Sequence, residues 1–219
     1  MSANGRLSAG ELAPIPGGQL SKKAARSWNA FARFCRTKNV TISVNDSYRP
    51  LGAPGDLRRG KWSQWAAWER FQQGGNLAAD PRYGGSSNHG LGVAVDAPAD
   101  TQAAIHQWGA AFGWSKAWSD APTENWHFRY ADEHATHSVI ARWSTVKAGD
   151  IIGVGDHGPG VRALKVLMRR KGYFPHPVSN SFGAPTAWWL KRFQKAHKLP
   201  ADGVAGVKTW AALRKAGSK

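Results

Sequence analysis

Hydrophobic positions in this 219-residue chain fall into short amphipathic runs. Ala24, Trp28, Phe31 and Cys35 recur at helical spacing behind Ser21, a suitable capping residue, and predict a helix from Ser21 to about Lys38. Val40, Ile42 and Val44 alternate with polar residues, the period of a half-buried strand. Trp62, Trp65, Ala66, Trp68 and Phe71 form the apolar side of a second helix over 62–72. A third is expected from a Thr101 cap to Phe112, buried through Ile105 and Trp108 and stopped by Gly113. Short strands are expected over 92–96 and 126–130. In the second, Trp126, Phe128 and Tyr130 face one way, and His127 and Arg129 the other. Residues 1–20, rich in Gly, Pro and Ala, read as irregular, and 51–59 and 76–88 as loops.

Past Ser144 the pattern changes. Gly and Pro cluster up to Gly160, which places a linker at 146–158 between a domain over 1–145 and another over 159–219. The second domain reads as three helices, over 161–171, 186–197 and 208–215. Gly183-Ala184-Pro185-Thr186 and Gly206-Val207-Lys208-Thr209 echo each other, each setting a threonine near a helix start, where a hydroxyl satisfies free backbone N–H groups.

Charge sharpens this division. The net charge is +16, and residues 151–219 hold 13 Lys and Arg against 2 Asp and Glu. So basic a module calls for an anionic partner surface, nucleic acid or cell wall. Twelve tryptophans fit a rigid aromatic core or a carbohydrate-facing surface. Trp188 and Trp189, at helical spacing, read as core. Cys35 is the only cysteine, so neither an internal disulfide framework nor a thiolate zinc cluster is available, and it reads as a core residue. Residues 1–10 carry no apolar leader segment and no run is long enough to span a membrane. Synthesis and folding in the cytoplasm, without a signal peptide, is the expectation.

The chemistry concentrates in Ser87-Asn88-His89-Gly90-Leu91-Gly92-Val93-Ala94-Val95-Asp96 and Glu124-Asn125-Trp126-His127. Two imidazoles, His89 and His127, and the Asp96 carboxylate make a three-ligand zinc site with one position open to water. Glu124 is placed to act as general base. His89 and Asp96 are too far apart in an extended chain to share one ion, so Gly90 and Gly92 are expected to supply a bend. On a regular strand Glu124 would lie opposite His127, which requires a turn at Asn125. Arg49 is a permanent cation at a strand end, suited to a substrate carboxylate or a developing oxyanion. Ser87 is a hydrogen-bonding partner for peptide backbone.

Ser87-x-His89-x-x-Gly92-x-Ala94-x-Asp96 followed by Glu124-x-Trp126-His127 resembles the zinc D-alanyl-D-alanine carboxypeptidase family, the VanY-like peptidases, which also includes L-alanyl-D-glutamate endopeptidases of phage endolysins. Tyr48-Arg49 and Gly113-Trp114 match two further family motifs. The resemblance spans roughly residues 20–132 and departs at the long basic loop Gly52–Lys61. It implies an α+β zinc peptidase domain with a small antiparallel sheet flanked by helices. It further implies Zn2+ on His89, Asp96 and His127, catalysis by Glu124 with Arg49, and substrate contacts from Ser87, Tyr48 and Arg49. The C-terminal part resembles the small three-helix peptidoglycan-binding domain through Val161-x-x-Leu164-x-x-Leu167, Gly172-Tyr173, Phe193-Gln194 and Asp202-Gly203-x-x-Gly206-x-x-Thr209-Trp210. It departs from it with Lys165 in place of Gln and Asn180-Ser181 in place of Asp-Gly.

Both resemblances lead to peptidoglycan. Together with the missing leader they imply a phage endolysin. Such an enzyme would be held in the host cytoplasm until a holin releases it. It would act as a monomer on peptidoglycan and anionic wall polymers, with no specific nucleic acid and no membrane insertion. The alternative is a D,D-carboxypeptidase that trims terminal D-Ala in wall remodelling. A wall-binding protein without activity would not need the full set His89, Asp96, Glu124 and His127. The basic charge permits nucleic-acid binding, but no recognised DNA- or RNA-binding motif is present.

Overall fold

A computed structural model describes residues 4–76, 78–82, 85, 87–116 and 121–215. The loop expected over 76–88 therefore lies outside the described residues at 77, 83, 84 and 86. Two compact units form, one from Met1–Ser27 with Ile42–Thr136, the other from Trp28–Thr41 with His137–Lys219. The architecture is mixed α+β with small antiparallel sheets.

The first unit opens with a hairpin, β1 (Leu12–Ile15) and β2 (Gly18–Ser21), where the sequence had suggested irregular chain. Four-residue strands joined at Pro16-Gly17 are too short for their alternation to stand out. Ser21 ends β2, and helix α1 (Lys22–Thr37) follows directly, its residues from Trp28 onward belonging to the second unit. Helix α2 (Gln64–Gln72) is capped by Ser63, whose Oγ accepts from the Ala66 amide at 3.1 Å, so Trp62 stands outside it. The central sheet has the order β3–β5–β4, with β3 (Ala94–Asp96) and β4 (Trp114–Ser115) both antiparallel to β5 (His127–Tyr130). Val95 pairs with Phe128, both fully buried. Between β3 and β4 run helix α3 (Ala99–Trp108) and a 3-10 turn over Gly109–Phe112.

Two local expectations are corrected. Val40–Val44 forms no strand; only Asp46 beyond it makes an isolated bridge, to Asp96. Thr101 does not cap α3, which starts earlier, after Pro98. Thr101 is buried inside the helix, where its Oγ1 accepts from the Ser43 amide at 3.0 Å. The segment 40–44 is thus fastened to a helix side chain instead of a sheet edge.

The second unit holds α4 (His137–Ser144), α5 (Pro159–Arg170), α6 (Ala184–Ala196) and α7 (Val207–Arg214). Its core gathers Val161, Leu164, Met168, Phe182, Leu190, Phe193 and Trp210. Residues 146–158, expected to be a linker, contribute Val146 and Ile152 to that core, and Ile152 pairs with Ala205. Asp156, also in that segment, is buried and ion-paired to Arg36. Thr186 and Thr209 do not cap their helices, which start at uncapped glycines. Both are buried, and Thr209 accepts from Gln194 at 3.2 Å. Gln194 satisfies its whole amide, donating also to Asp202 Oδ1 (2.8 Å) and the Val204 carbonyl (2.9 Å) and accepting from the Gly203 amide (2.9 Å). Lys165 is buried as well, donating to Ser179 Oγ at 2.9 Å and the Ser181 carbonyl at 2.6 Å. Trp188 departs from the core reading: it is half exposed, with the Arg192 guanidinium 4.8 Å from its ring centre. Among the described residues no helix is long and apolar enough to cross a membrane.

Candidate metal centre and its cleft

Strands β3 and β5 carry the site. Asp96 and His127 are register partners across the ladder, so two candidate ligands sit side by side at its end. His89 is brought to them by the turn over Ser87–Gly92, in which the amides of Gly90 and Gly92 donate to the carbonyls of Ser87 and His89, each at 3.0 Å. Gly92 lies in the left-handed region (φ +64°) and its carbonyl accepts from the Ser21 amide; a Cβ there would meet that amide at 2.6 Å. Gly90 is needed for a different reason than bending. Its φ is ordinary, but Asn4 and Gln64 approach so closely that no Cβ fits.

His89 Nε2 lies 3.1 Å from His127 Nδ1 and 3.3 Å from Asp96 Oδ1, and His127 Nδ1 lies 3.1 Å from Asp96 Oδ1. These three residues form the candidate metal group among the described residues. Tetrahedral ligands at zinc bond lengths stand about 3.3 Å apart, so the triangle has the right size. The tautomer fits too. His89 Nδ1 lies 2.7 Å from the Ser47 carbonyl, which can only accept, so Nδ1 carries the proton and Nε2 turns its lone pair to the triangle. Three electron-rich atoms converging at partly buried positions match a cation. Burial alone would raise the Asp96 pKa, but hydrogen bonds and charge from His127 and His89 outweigh it and hold this carboxylate well below the usual range.

Glu124 joins the site through a turn. The His127 amide donates to the Glu124 carbonyl at 3.0 Å, and this reversal brings Glu124 Oε2 within 3.8 Å of His127 Nδ1. The same turn takes Trp126 out of the expected row with Phe128 and Tyr130 and leaves it 37% exposed in the cleft. The cleft encloses about 620 Å³, and Arg49, Ser87, His89, Asp96, Glu124 and His127 all line it.

Tyr48 lines an adjoining pocket, with Asp46 and Trp62, and not this cleft. Its hydroxyl accepts from the Leu7 amide at 3.0 Å, and burial pushes its pKa up. The sequence expectation of substrate contact thus meets a tyrosine whose polar end is used inside the fold. Ser87 Oγ accepts from the His89 amide at 3.2 Å and so steadies the ligand turn. Arg49 is less free than expected: its Nε donates to Asp46 Oδ2 at 2.9 Å, its Nη2 reaches the same oxygen, and Nη2 stays 3.8 Å from Asp96 Oδ2.

Asp46 is the residue that sequence reasoning missed. Besides holding Arg49, its Oδ1 accepts from Trp62 Nε1 at 2.9 Å, its Oδ2 lies 3.7 Å from His89 Nδ1, and its backbone bridges Asp96. The available signal was its position three residues before Arg49, next to Ser47, whose carbonyl fixes His89.

Comparison with known proteins separates the two parts of the chain. Residues 157–213 match the family model described as "Putative peptidoglycan binding domain". A spore cortex-lytic enzyme of Bacillus cereus is 36% identical over 69 residues, which is 32% of this chain and 27% of that enzyme. The chain thus spans about a quarter of the length of the curated relatives it matches. The crystal structure of the SleB N-terminal domain is 34% identical, covers 31% of this chain and 93% of that one, and superposes with a TM-score of 0.30. A structure of the vancomycin resistance D,D-pentapeptidase VanY in complex with Zn(II) is 19% identical, covers 60% of this chain and 84% of that one, and gives a TM-score of 0.40.

Proposed function

We propose that this protein is a zinc-dependent peptidase that hydrolyses amide bonds in the stem peptides or cross-links of bacterial peptidoglycan. The observation that carries this reading is the triangle of His89 Nε2, Asp96 Oδ1 and His127 Nδ1, with a carboxylate, Glu124, beside it in an open cleft. The peptidoglycan-binding match over residues 157–213 supports the substrate class.

Zinc, when bound, supplies Lewis acidity toward a carbonyl oxygen and toward water. The protein supplies the rest. His89 and His127 offer imidazole nitrogens, and Asp96 offers a carboxylate oxygen. Glu124 accepts a proton at its carboxylate and returns it to the leaving amine. Arg49 and Ser87 line the same cleft and contact the substrate backbone and its developing oxyanion. The basic second unit holds the enzyme on the anionic wall, which suits a lytic, endolysin-like role. Digestion of purified peptidoglycan with and without chelator tests the reading directly.

A further inference from the structure

We propose that Arg70 and Trp62 form a subsite for a carboxylate of the substrate peptide, a proposal that rests on reading this cleft as a peptidase site. Among the described residues, Arg49 and Arg70 are the cationic side chains that line the cleft. Arg49 is ion-paired to Asp46 and stands beside the metal triangle, 3.8 Å from Asp96 Oδ2. Arg70, exposed in the last turn of α2, has no carboxylate partner among the described residues. Its guanidinium instead stands 5.2 Å from the centre of the Trp62 ring.

That ring is a fixed support. Trp62 is 49% exposed, yet its Nε1 donates to Asp46 at 2.9 Å and the Arg49 guanidinium stands 5.3 Å from its ring centre. A guanidinium over an indole uses its face and leaves its in-plane N–H groups unspent. Those N–H groups match a carboxylate bidentately. Among the described residues, the acidic groups that line the cleft are Asp96 and Glu124, at the metal centre, and Asp46, paired with Arg49. Arg70 is therefore the lining cation with no carboxylate partner among the described residues, away from the ion pair that holds Arg49. Stem peptides bear such carboxylates at the C-terminus and on the γ-linked D-glutamyl residue, and the geometry selects for a peptide carboxylate at one of these places.

The test uses the metal-loaded full chain and the pentapeptide L-Ala-γ-D-Glu-L-Lys-D-Ala-D-Ala, with its C-terminal or its D-glutamyl carboxylate amidated. Calorimetric titration is expected to show one amide binding about tenfold more weakly than the parent, and which amide it is names the carboxylate. Arg70→Ala is expected to bind parent and that amide alike, and Arg70→Lys, which keeps charge but loses the fork, to recover only part of the difference. Where the peptide is cut, the loss is expected in KM and not in kcat. Equal affinities of Arg70→Ala and wild type for all three peptides would overturn the subsite, as would no binding of any of them. Binding that discriminates without any cleavage would uphold the subsite and remove the peptidase reading. Cleavage that ignores Arg70 would do the reverse.

Discussion

Glu124 Oε2 stands 3.8 Å from His127 Nδ1 although the two residues are three apart, a separation that on a straight strand puts side chains on opposite faces. The turn closed by the His127 amide on the Glu124 carbonyl makes the difference, and β5 begins only after it. Glu124 is beside the metal triangle but outside it. Glu124→Ala is therefore expected to keep zinc and fold while lowering kcat by at least about a hundredfold, the usual worth of a general base. Zinc content and turnover measured on one preparation check this.

His127 lies within 3.1 Å of both partners of the triangle, so its removal opens the site. His127→Ala is expected to lose zinc on dialysis and to lose activity with it, while circular dichroism stays native. Full zinc occupancy in that variant, by elemental analysis, would contradict the ligand assignment.

Asp46 touches no substrate in this account, yet it holds Arg49 and Trp62 and bridges Asp96. Partners behind metal ligands commonly change affinity or activity by about 10- to 100-fold. Asp46→Ala is expected to lower activity within that range, with zinc still bound at saturation. Wild-type kinetics would show that Arg49 and Trp62 keep their places without it.

How much of this was legible in the sequence depends on what each element rests on. The helices around Trp28, Ile105, Leu164 and Phe193 follow from apolar spacing, and structure and pattern agree within a few residues. The residues of the triangle stand in two short motif segments, 87–96 and 124–127, and the pairing of Asp96 with His127 brings those segments together. The β1–β2 hairpin was not legible, because four-residue strands carry too little alternation. Asp46 and Arg70 were missed because their roles come from long-range contacts: Trp62 is sixteen residues beyond Asp46, and nothing in the local pattern joins them. Residues 146–158 look like a linker by composition. Yet two of their apolar members, Val146 and Ile152, are buried in the core, and composition averages over such single residues.

Burial pushes the Cys35 thiol from its ordinary value near 9 up to about 12. The neutral thiol is thus favoured by folding, a contribution complete below about pH 9 and lost as pH rises toward 12. Alkylation of the native protein at pH 8 is expected to be slow and to follow global unfolding. Between pH 9 and 12 the Tm of wild type should fall more than that of Cys35→Ala; parallel curves would refute this.

Residues 151–219 carry 13 cationic against 2 anionic side chains. Exposed charges are screened by salt. Retention of the full chain on purified cell walls is expected to drop several-fold between 50 mM and 500 mM NaCl, as followed by co-sedimentation. Salt-independent retention would assign wall binding to uncharged contacts.

Mass spectrometry of purified peptidoglycan digested by the zinc-loaded protein, beside a chelated control, decides whether this chain is a zinc peptidase of the wall. Fragments cut at amide bonds of the stem or cross-link are expected, vanishing with chelator and returning with zinc. Identical digests with and without chelator, or intact walls in both, would contradict that reading.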